Sequence, residues 1–304
     1  MSDNYVNLVT QEFTSTVQLL LQQTESLVSP AINQGMHVGK AASPVNQVGN
    51  VQFQTPSGKF APLNRQDPEM TRRWVFPTDA EAMVMIDSFD RLKSIADPQS
   101  AEAQAVVAAA NRYKDDRILN SFFATSYTGP DTGNLSSETF NTTNFRIAST
   151  FGASSATGLT VAKIIEARRI LRHYHNTLET DMPTMVIGSQ QEADLLNQVQ
   201  VVSTEYNDRP VLVDGRLKQF LGFNIIVSER IPYGSNLRQV PCFVKSGMHL
   251  GIWQDVQIDI SQRKDLSSQP YQIYAKVSMG ATRTEPGKVL QILCADTTGG
   301  DITP

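Results

Sequence analysis

Cysteine is nearly absent from this sequence. Cys242 and Cys294 are the whole supply, lie far apart and match no metal-ligand spacing, so two reduced, buried thiols of an intracellular protein are expected. Charge is scarce as well: Asp, Glu, Lys and Arg make up 18% of the chain and leave a formal net charge of −4. A dedicated nucleic-acid binder neutralises phosphates with an excess of Lys and Arg, which this composition excludes, although local basic patches stay open. No apolar run approaches the roughly 18 residues that a membrane helix needs. The N-terminus, MSDNYVNLVT, has neither the basic nor the apolar stretch of a secretory signal, so a protein made and used in the cytosol is expected. What is present is 304 residues that are 40% apolar, enough for a sizeable globular core. With so little charge, part of the surface is expected to be covered by partners.

Catalytic groupings are equally thin. Of four histidines, His173 and His175 sit two apart on a predicted helix and so point to different faces. His37 falls in an extended loop and His249 beside a strand, each without an evident carboxylate or nucleophile, which reads as structural or surface placement. The stretch from Gly35 through Gly39 and Lys40 to Ala41 lacks the spacer and the Ser/Thr of a phosphate loop. Gly188-Ser189-Gln190 is half of a nucleophile elbow, and a capping box from Ser189 to Glu192 already accounts for the serine. Asp87, Asp90 and Asp97 are carboxylates beside Arg91 and Lys93, a solvated ion-pair pattern. No catalytic residue, cofactor or metal ligand is therefore assigned.

Residues 8–28 carry Phe13, Val17, Leu20, Leu21, Leu27 and Val28 at helical spacing, predicting an amphipathic helix that ends at Pro30. Residues 35–77 then change to short extended pieces rich in Gly, Pro, Asn and Gln, with very little to bury. A loop this long is functional or disordered in a compact domain, and ordering by neighbouring subunits is the simplest expectation. Val51, Phe53 and Phe60 are apolar on a segment too thin to cover them, which marks an interface. From Asp97, placed as an N-cap before Pro98, a helix to about residue 124 is predicted, roughly 40 Å long and kept slender by alanines.

A loose Gly/Ser/Thr/Asn stretch, 126–157, leads into an α/β pattern. Thr160 opens a helix carrying Val161, Ile164, Ile165 and Leu171, with Arg168, Arg169 and Arg172 as the densest basic group. Met185 to Ile187, Phe223 to Val227, Cys242 to Val244 and Leu250 to Trp253 read as strands. Alternation through Val256, Ile258 and Ile260, and again through Tyr271, Ile273, Ala275 and Val277, predicts a long hairpin turning over residues 263–270.

This order of parts, with a return strand from Val289 to Leu293, resembles the tailed-bacteriophage major capsid family, whose fold is shared with encapsulins. Arg72-Arg73-Trp74-Val75-Phe76-Pro77, Met85 through Asp87 to Asp90, Asp97-Pro98, Arg112 with Asp116, and Gly280-Ala281-Thr282-Arg283 are similar to that family's pattern in the same order. The resemblance implies an α+β fold: N-terminal arm (1–35), extended E-loop (36–76), P-domain (77–157) with a spine helix at about 97–124, α/β A-domain (158–253), the long P-domain hairpin (254–286), and a return strand with C-terminal tail (287–304). It further implies a non-enzymatic subunit that self-assembles into the icosahedral head shell around double-stranded DNA. Phe13, Val17, Leu20, Val51, Phe53, Phe60, Arg72 and Arg73 are the implied inter-subunit contacts. Hexamers and pentamers of the same chain, a portal protein at one vertex, scaffolding and decoration proteins, and weak non-specific contact with packaged DNA are the implied partners, with no membrane. The place of action is the virion, after assembly in the bacterial host cytoplasm. With Met1 standing directly ahead of the arm, internal scaffolding removed by a protease is not expected. An encapsulin-like compartment shell is the neighbouring reading, and a hydrolase or transferase built on the α/β core is the remote one.

Overall fold

The computed structural model describes residues 23–49, 51–55, 58–59, 65–86, 98–174, 181–198, 212–213, 216–267 and 269–296; at 98–101, 212–213 and 216 it describes the backbone alone. Helix α1 (Pro98–Ser121) runs 24 residues, about 36 Å at 1.5 Å per residue. It stops three residues short of the expected end, where a side chain distant in sequence meets the chain. The carbonyls of Phe122 and Ala124 accept hydrogen bonds from Nη1 of Arg283 at 2.9 and 3.2 Å, which satisfies the chain just past the last turn. Asp97 lies outside the described residues.

Helix α2 (Val161–Tyr174) begins where Thr160 was expected to open it, with Thr160 Oγ1 accepting from the Lys163 amide at 3.4 Å. It buries Ile164, Ala167 and Leu171, one stripe at three- and four-residue spacing. Helix α3 (Ser189–Leu196) corrects the expected capping box by one position: the N-cap is Gly188, and the side chain of Gln191 accepts from its amide at 3.1 Å. A glycine has no side chain to return the bond, so half the box is made. The arm helix needs a second correction. Its residues 8–22 lie outside the described residues, but 23–28 are not helical, and Pro30 sits inside a 3-10 turn, Ser29–Ala31.

The strands follow in chain order as β1 (Asn33–Met36), β2 (Ala42–Val48), β3 (Met70–Val75), β4 (Thr78–Ile86), β5 (Ser126–Thr128), β6 (Ser136–Glu138), β7 (Arg146–Ile147), β8 (Thr184–Ile187), β9 (Leu212–Val213), β10 (Arg216–Leu217), β11 (Gln219–Phe220), β12 (Phe223–Val227), β13 (Tyr233–Gly234), β14 (Leu237–Phe243), β15 (Met248–Gln262), β16 (Tyr271–Arg283) and β17 (Val289–Ala295). Two predicted strands, at 250–253 and 256–260, are one: β15 runs unbroken through both.

The chain divides into two compact units. The smaller contains residues 79–112 and 254–277, together with the start of the chain. There β4, the later part of β15 and the first part of β16 form sheet, and Ile86, Val106, Ile273 and Ala275 make a core against Val84, Ile258 and Tyr271. The predicted alternation is present from Gln254 to Asp259, where half-buried and exposed residues alternate along β15, and it breaks at Ile260, which is exposed. The hairpin closes where expected, with the Arg263 amide donating to the Pro270 carbonyl at 2.9 Å.

The larger unit holds residues 26–78, 113–253 and 278–304. Its main sheet has the order β11-β12-β8-β14-β17-β7, with β13 beside β14. β12 and β8 are parallel, whereas β14 runs antiparallel to both β8 and β17, so the return strand inserts between β14 and β7. Every residue of β8 is buried, as its unbroken apolar character predicted. Ile164, Ala167 and Leu171 of α2, Leu195 of α3, and Met185, Val240, Leu290 and Ile292 of the sheet share one core. Cys242 and Cys294 are free thiols buried in it, as expected. A second sheet, β2-β3-β5-β6, carries the extended loop. The stretch 126–157 is thus less loose than its composition suggested, since it contributes β5, β6 and β7.

Candidate functional site

The extended loop is an antiparallel hairpin of β2 and β3, paired from Ala42↔Val75 to Val48↔Met70 with a register shift between Ala42 and Val45. Its root is held by buried charge. Arg73, 5% exposed, donates to Ser126 Oγ at 3.2 Å and pairs with Glu138. Arg283, also buried, reaches Ser126 Oγ and the Glu138 carbonyl, both at 3.4 Å. Burial lowers the Arg283 guanidinium to about 10, with the Glu138 charge opposing that shift and the Arg73 charge adding to it. Trp74 Nε1 donates to the Gly129 carbonyl at 2.9 Å, and Gln47 Nε2 to the Thr284 carbonyl at 2.9 Å. Gly280 lets β16 pass the root: a Cβ there would stand 2.1 Å from the Phe76 carbonyl oxygen. Motif residues far apart in sequence, Arg73 and Trp74 on one side and Gly280 and Arg283 on the other, build one joint.

Away from the root the hairpin exposes several large apolar side chains among its polar ones. Val48 and Met70 face each other in register and are 61% and 73% exposed, Val51 is exposed, and Phe53 has no burial at all. Met36 and Val38, which lead into the hairpin, are exposed too. A cavity of about 300 Å³ beside the hairpin is lined by Val48, Met70, Arg72 and Pro130. Leaving a Phe side chain in water forgoes about 1.5–3 kcal/mol of burial, and contiguous exposed apolar surface marks an interaction site.

Of the predicted contact residues, the structure brings Val51 and Phe53 to this surface. Arg72 lies at its edge, donating to the Pro130 carbonyl at 3.4 Å. Arg73 turns inward to the joint. Phe13, Val17, Leu20 and Phe60 lie outside the described residues. Lys40 and Lys59 are exposed.

Three features escaped the sequence reading. Asp115, fully buried on α1, accepts from Ser26 Oγ at 2.5 Å and from the amides of Leu27 and Val28 at 2.9 and 3.3 Å, and so fixes the segment that follows the arm. Its neighbour Asp116 takes a two-pronged ion pair from Arg230, at 2.6 and 2.5 Å. The motif pointed to Asp116, but periodicity alone does not say that two adjacent aspartates each hold a distant segment. Second, Lys163 is buried with Nζ donating to the carbonyls of Thr157, Gly158 and Leu293 at 2.8, 2.8 and 3.1 Å. Burial lowers its pKa, but its three carbonyl partners hold Nζ as a donor, and burial pushes the Cys294 thiol up to about 12, away from the reactive thiolate. Third, His37 and His249 meet, with Nε2 atoms 2.8 Å apart. Burial, with a smaller push from His37, brings His249 down to about 4.

Nothing in this arrangement supplies a nucleophile with its base. Ser189 does not stand on an elbow; it is the first residue of α3, with its amide bound by Glu229. Arg168 donates to the Leu221 carbonyl at 3.0 Å and Arg169 pairs with Glu166 at 2.6 Å, so two of the three arginines of the densest basic group are engaged within the subunit. No helix among the described residues is long and apolar enough to cross a membrane.

The site thus belongs to a two-unit α+β subunit with a long helix and a rooted hairpin whose far end is exposed. The family model described as phage capsid protein matches residues 6–296, and the chain belongs to that family. Among solved structures it is similar to the capsid of Cyanophage P-SCSP1u, at TM-score 0.74 and 12% identity over 96% of this chain and 94% of that one. The cyanophage Pam1 capsid subunit gives 0.71 and 12%, over 95% and 97%. The Mycobacterium phage Che8 structure gives 0.66 and 12%, over 93% and 97%. No curated protein matches. The protein is a phage capsid subunit with the phage capsid fold, and its family is structural, not enzymatic.

Proposed function

We propose that this chain is the major subunit of an icosahedral tailed-phage head, assembling as hexamers and pentamers around double-stranded DNA. The apolar hairpin of residues 36–76 is the part that lies on a neighbouring copy. The observation that carries this reading is the contrast within the hairpin. Its root is fixed by buried guanidiniums and by a backbone approach at Gly280 that leaves no room for a Cβ, while its far end leaves Val48, Phe53 and Met70 in water. A rigid root and an unpaired apolar end make a device that a lone subunit does not need. A second copy gives it burial, on the scale of the several thousand Å² typical of obligate assemblies. A portal at one vertex, scaffolding and decoration proteins, and assembly in the host cytoplasm belong to the same proposal. DNA contact is weak and independent of base sequence, in keeping with a net charge of −4 and with the Arg169 charge paired to Glu166.

Negative-stain microscopy of the purified protein tests the proposal. Closed shells of uniform size are expected from the native chain, and irregular or no particles from the F53S/M70S variant. A native chain that stays monomeric at concentrations where the variant behaves identically would sink it.

A further inference from the structure

Strand β1 lies parallel to the start of β15, with Asn33 opposite His249 and Gly35 opposite Gly251. Those two facing glycines make room for side chains on this face. A Cβ at Gly35 would stand 3.0 Å from Cε1 of His249 and 3.3 Å from Nε2 of His37; one at Gly251 would stand 2.9 Å from both the His37 and Trp253 rings. Into that room the two imidazoles point their Nε2 atoms at each other, 2.8 Å apart, with ring centroids 5.1 Å apart and planes tilted by 51°. Trp253 closes one side, its ring 5.4 Å from His37, and its buried Nε1 has no hydrogen-bond partner. His249 is 9% exposed, whereas His37 is half-buried, so the pair is anchored on one side and reachable from the other.

We propose that His37 and His249 form a binding site for a divalent first-row transition ion of the zinc type, clamping the chain that follows the arm onto β15. Neutral imidazole is the preferred nitrogen ligand of such ions. Without the ion, one ring donates its Nε2 proton to the other. With it, both Nε2 lone pairs turn to the metal and each ring carries its proton on Nδ1, so no proton need leave the site at neutral pH. Bonds of about 2.0–2.1 Å in tetrahedral geometry place two nitrogens about 3.3 Å apart. Rotation of the half-buried His37 ring supplies that opening of about half an ångström. Among the described residues no third His, Cys, Asp or Glu joins the pair, so water fills the remaining positions and the ion is exchangeable.

Titration calorimetry of the full-length chain with zinc chloride tests this, beside H37Q, H249Q and the H173Q/H175Q control. One ion per native chain is expected, with a zinc-dependent rise in melting temperature that EDTA reverses. Loss of an outer-sphere partner already costs 10–100-fold at metal sites, so loss of either ligand weakens binding by at least about tenfold. The control variant binds as the native chain does. Because H249Q removes a buried side chain and can fail to fold, H37Q decides the outcome, together with the nitrogen hyperfine pattern of bound Cu(II). Two coordinated nitrogens in the native chain and one in H37Q support the site. Unchanged affinity in H37Q, loss of binding in the control, or no binding by the native chain overturns it.

Discussion

Arg238 and Asp296 are 3% and 2% exposed in their side chains and meet at 2.8 Å, where β14 and the end of β17 come together. The same guanidinium reaches Glu229 at 3.1 Å and the Glu229 carbonyl at 2.8 Å. Breaking a buried pair by neutralising one partner leaves the other charge without compensation, which costs about 3–5 kcal/mol. Asp296→Asn should therefore lower the unfolding free energy of the subunit by up to that much, read as a lower urea midpoint at an unchanged slope; a loss below about 1 kcal/mol would show that Glu229 alone suffices. Gly280 is the second single position on which much depends. Its neighbour is backbone, which moves less readily than a side chain, so Gly280→Ala should destabilise the subunit by at least the 1–3 kcal/mol of an overpacked site. Hydrogen exchange should show the damage concentrated around Phe76 and its strand, and uniform loss of protection would argue against a local joint.

For the hairpin as an element, side chains in water contribute little to the fold of their own subunit, so F53S/M70S should melt within about 0.5 kcal/mol of the native chain. Assembly should fall sharply, read by sedimentation or light scattering. Equal loss of subunit stability would instead place Phe53 inside the subunit. This surface was readable in part: Val51 and Phe53 stood out as apolar residues on a segment too thin to cover them. Val48 and Met70 did not, because their shared exposure depends on the β2–β3 register, which a bulge near Ala42 and Val45 shifts. Arg73 shows the opposite failure. Two consecutive arginines on a strand point to opposite faces, so one stays at the surface and the other enters the joint, and sequence alone does not say which.

In the whole subunit, the structure moves the boundary between arm and body. Val28 and Ile32 are buried and Asp115 binds the amides of Leu27 and Val28, so a deletion through residue 30 would strip part of the core. Removing residues 1–22 is the cleaner cut. We expect the truncated chain to remain folded and soluble, with native-like melting, yet to form no regular shells in the microscope; normal particles would show that the arm is dispensable. Free subunits, for their part, should show no sequence-selective duplex binding at physiological salt in an electrophoretic or fluorescence assay. Submicromolar selective binding would be incompatible with the charge balance described here.

Local physics decided what the sequence determined unaided. Proline at the first position of α1, the threonine that opens α2, the unbroken apolar run of β8 and the period-two alternation of β15 and β16 each act within a few residues, and each element appears where its pattern stands. The absence of charge excess and of any recognisable catalytic spacing came from the same reading. Tertiary structure decided the contacts that join distant segments. Arg283 binds the carbonyls just past the end of α1, Asp115 fixes the chain after the arm, Gly280 clears the root of the hairpin, and His37 meets His249 across 212 residues of sequence. None of these has a period or a spacing. Each exists because the fold brings two distant segments to one place, which is a property of the fold as a whole.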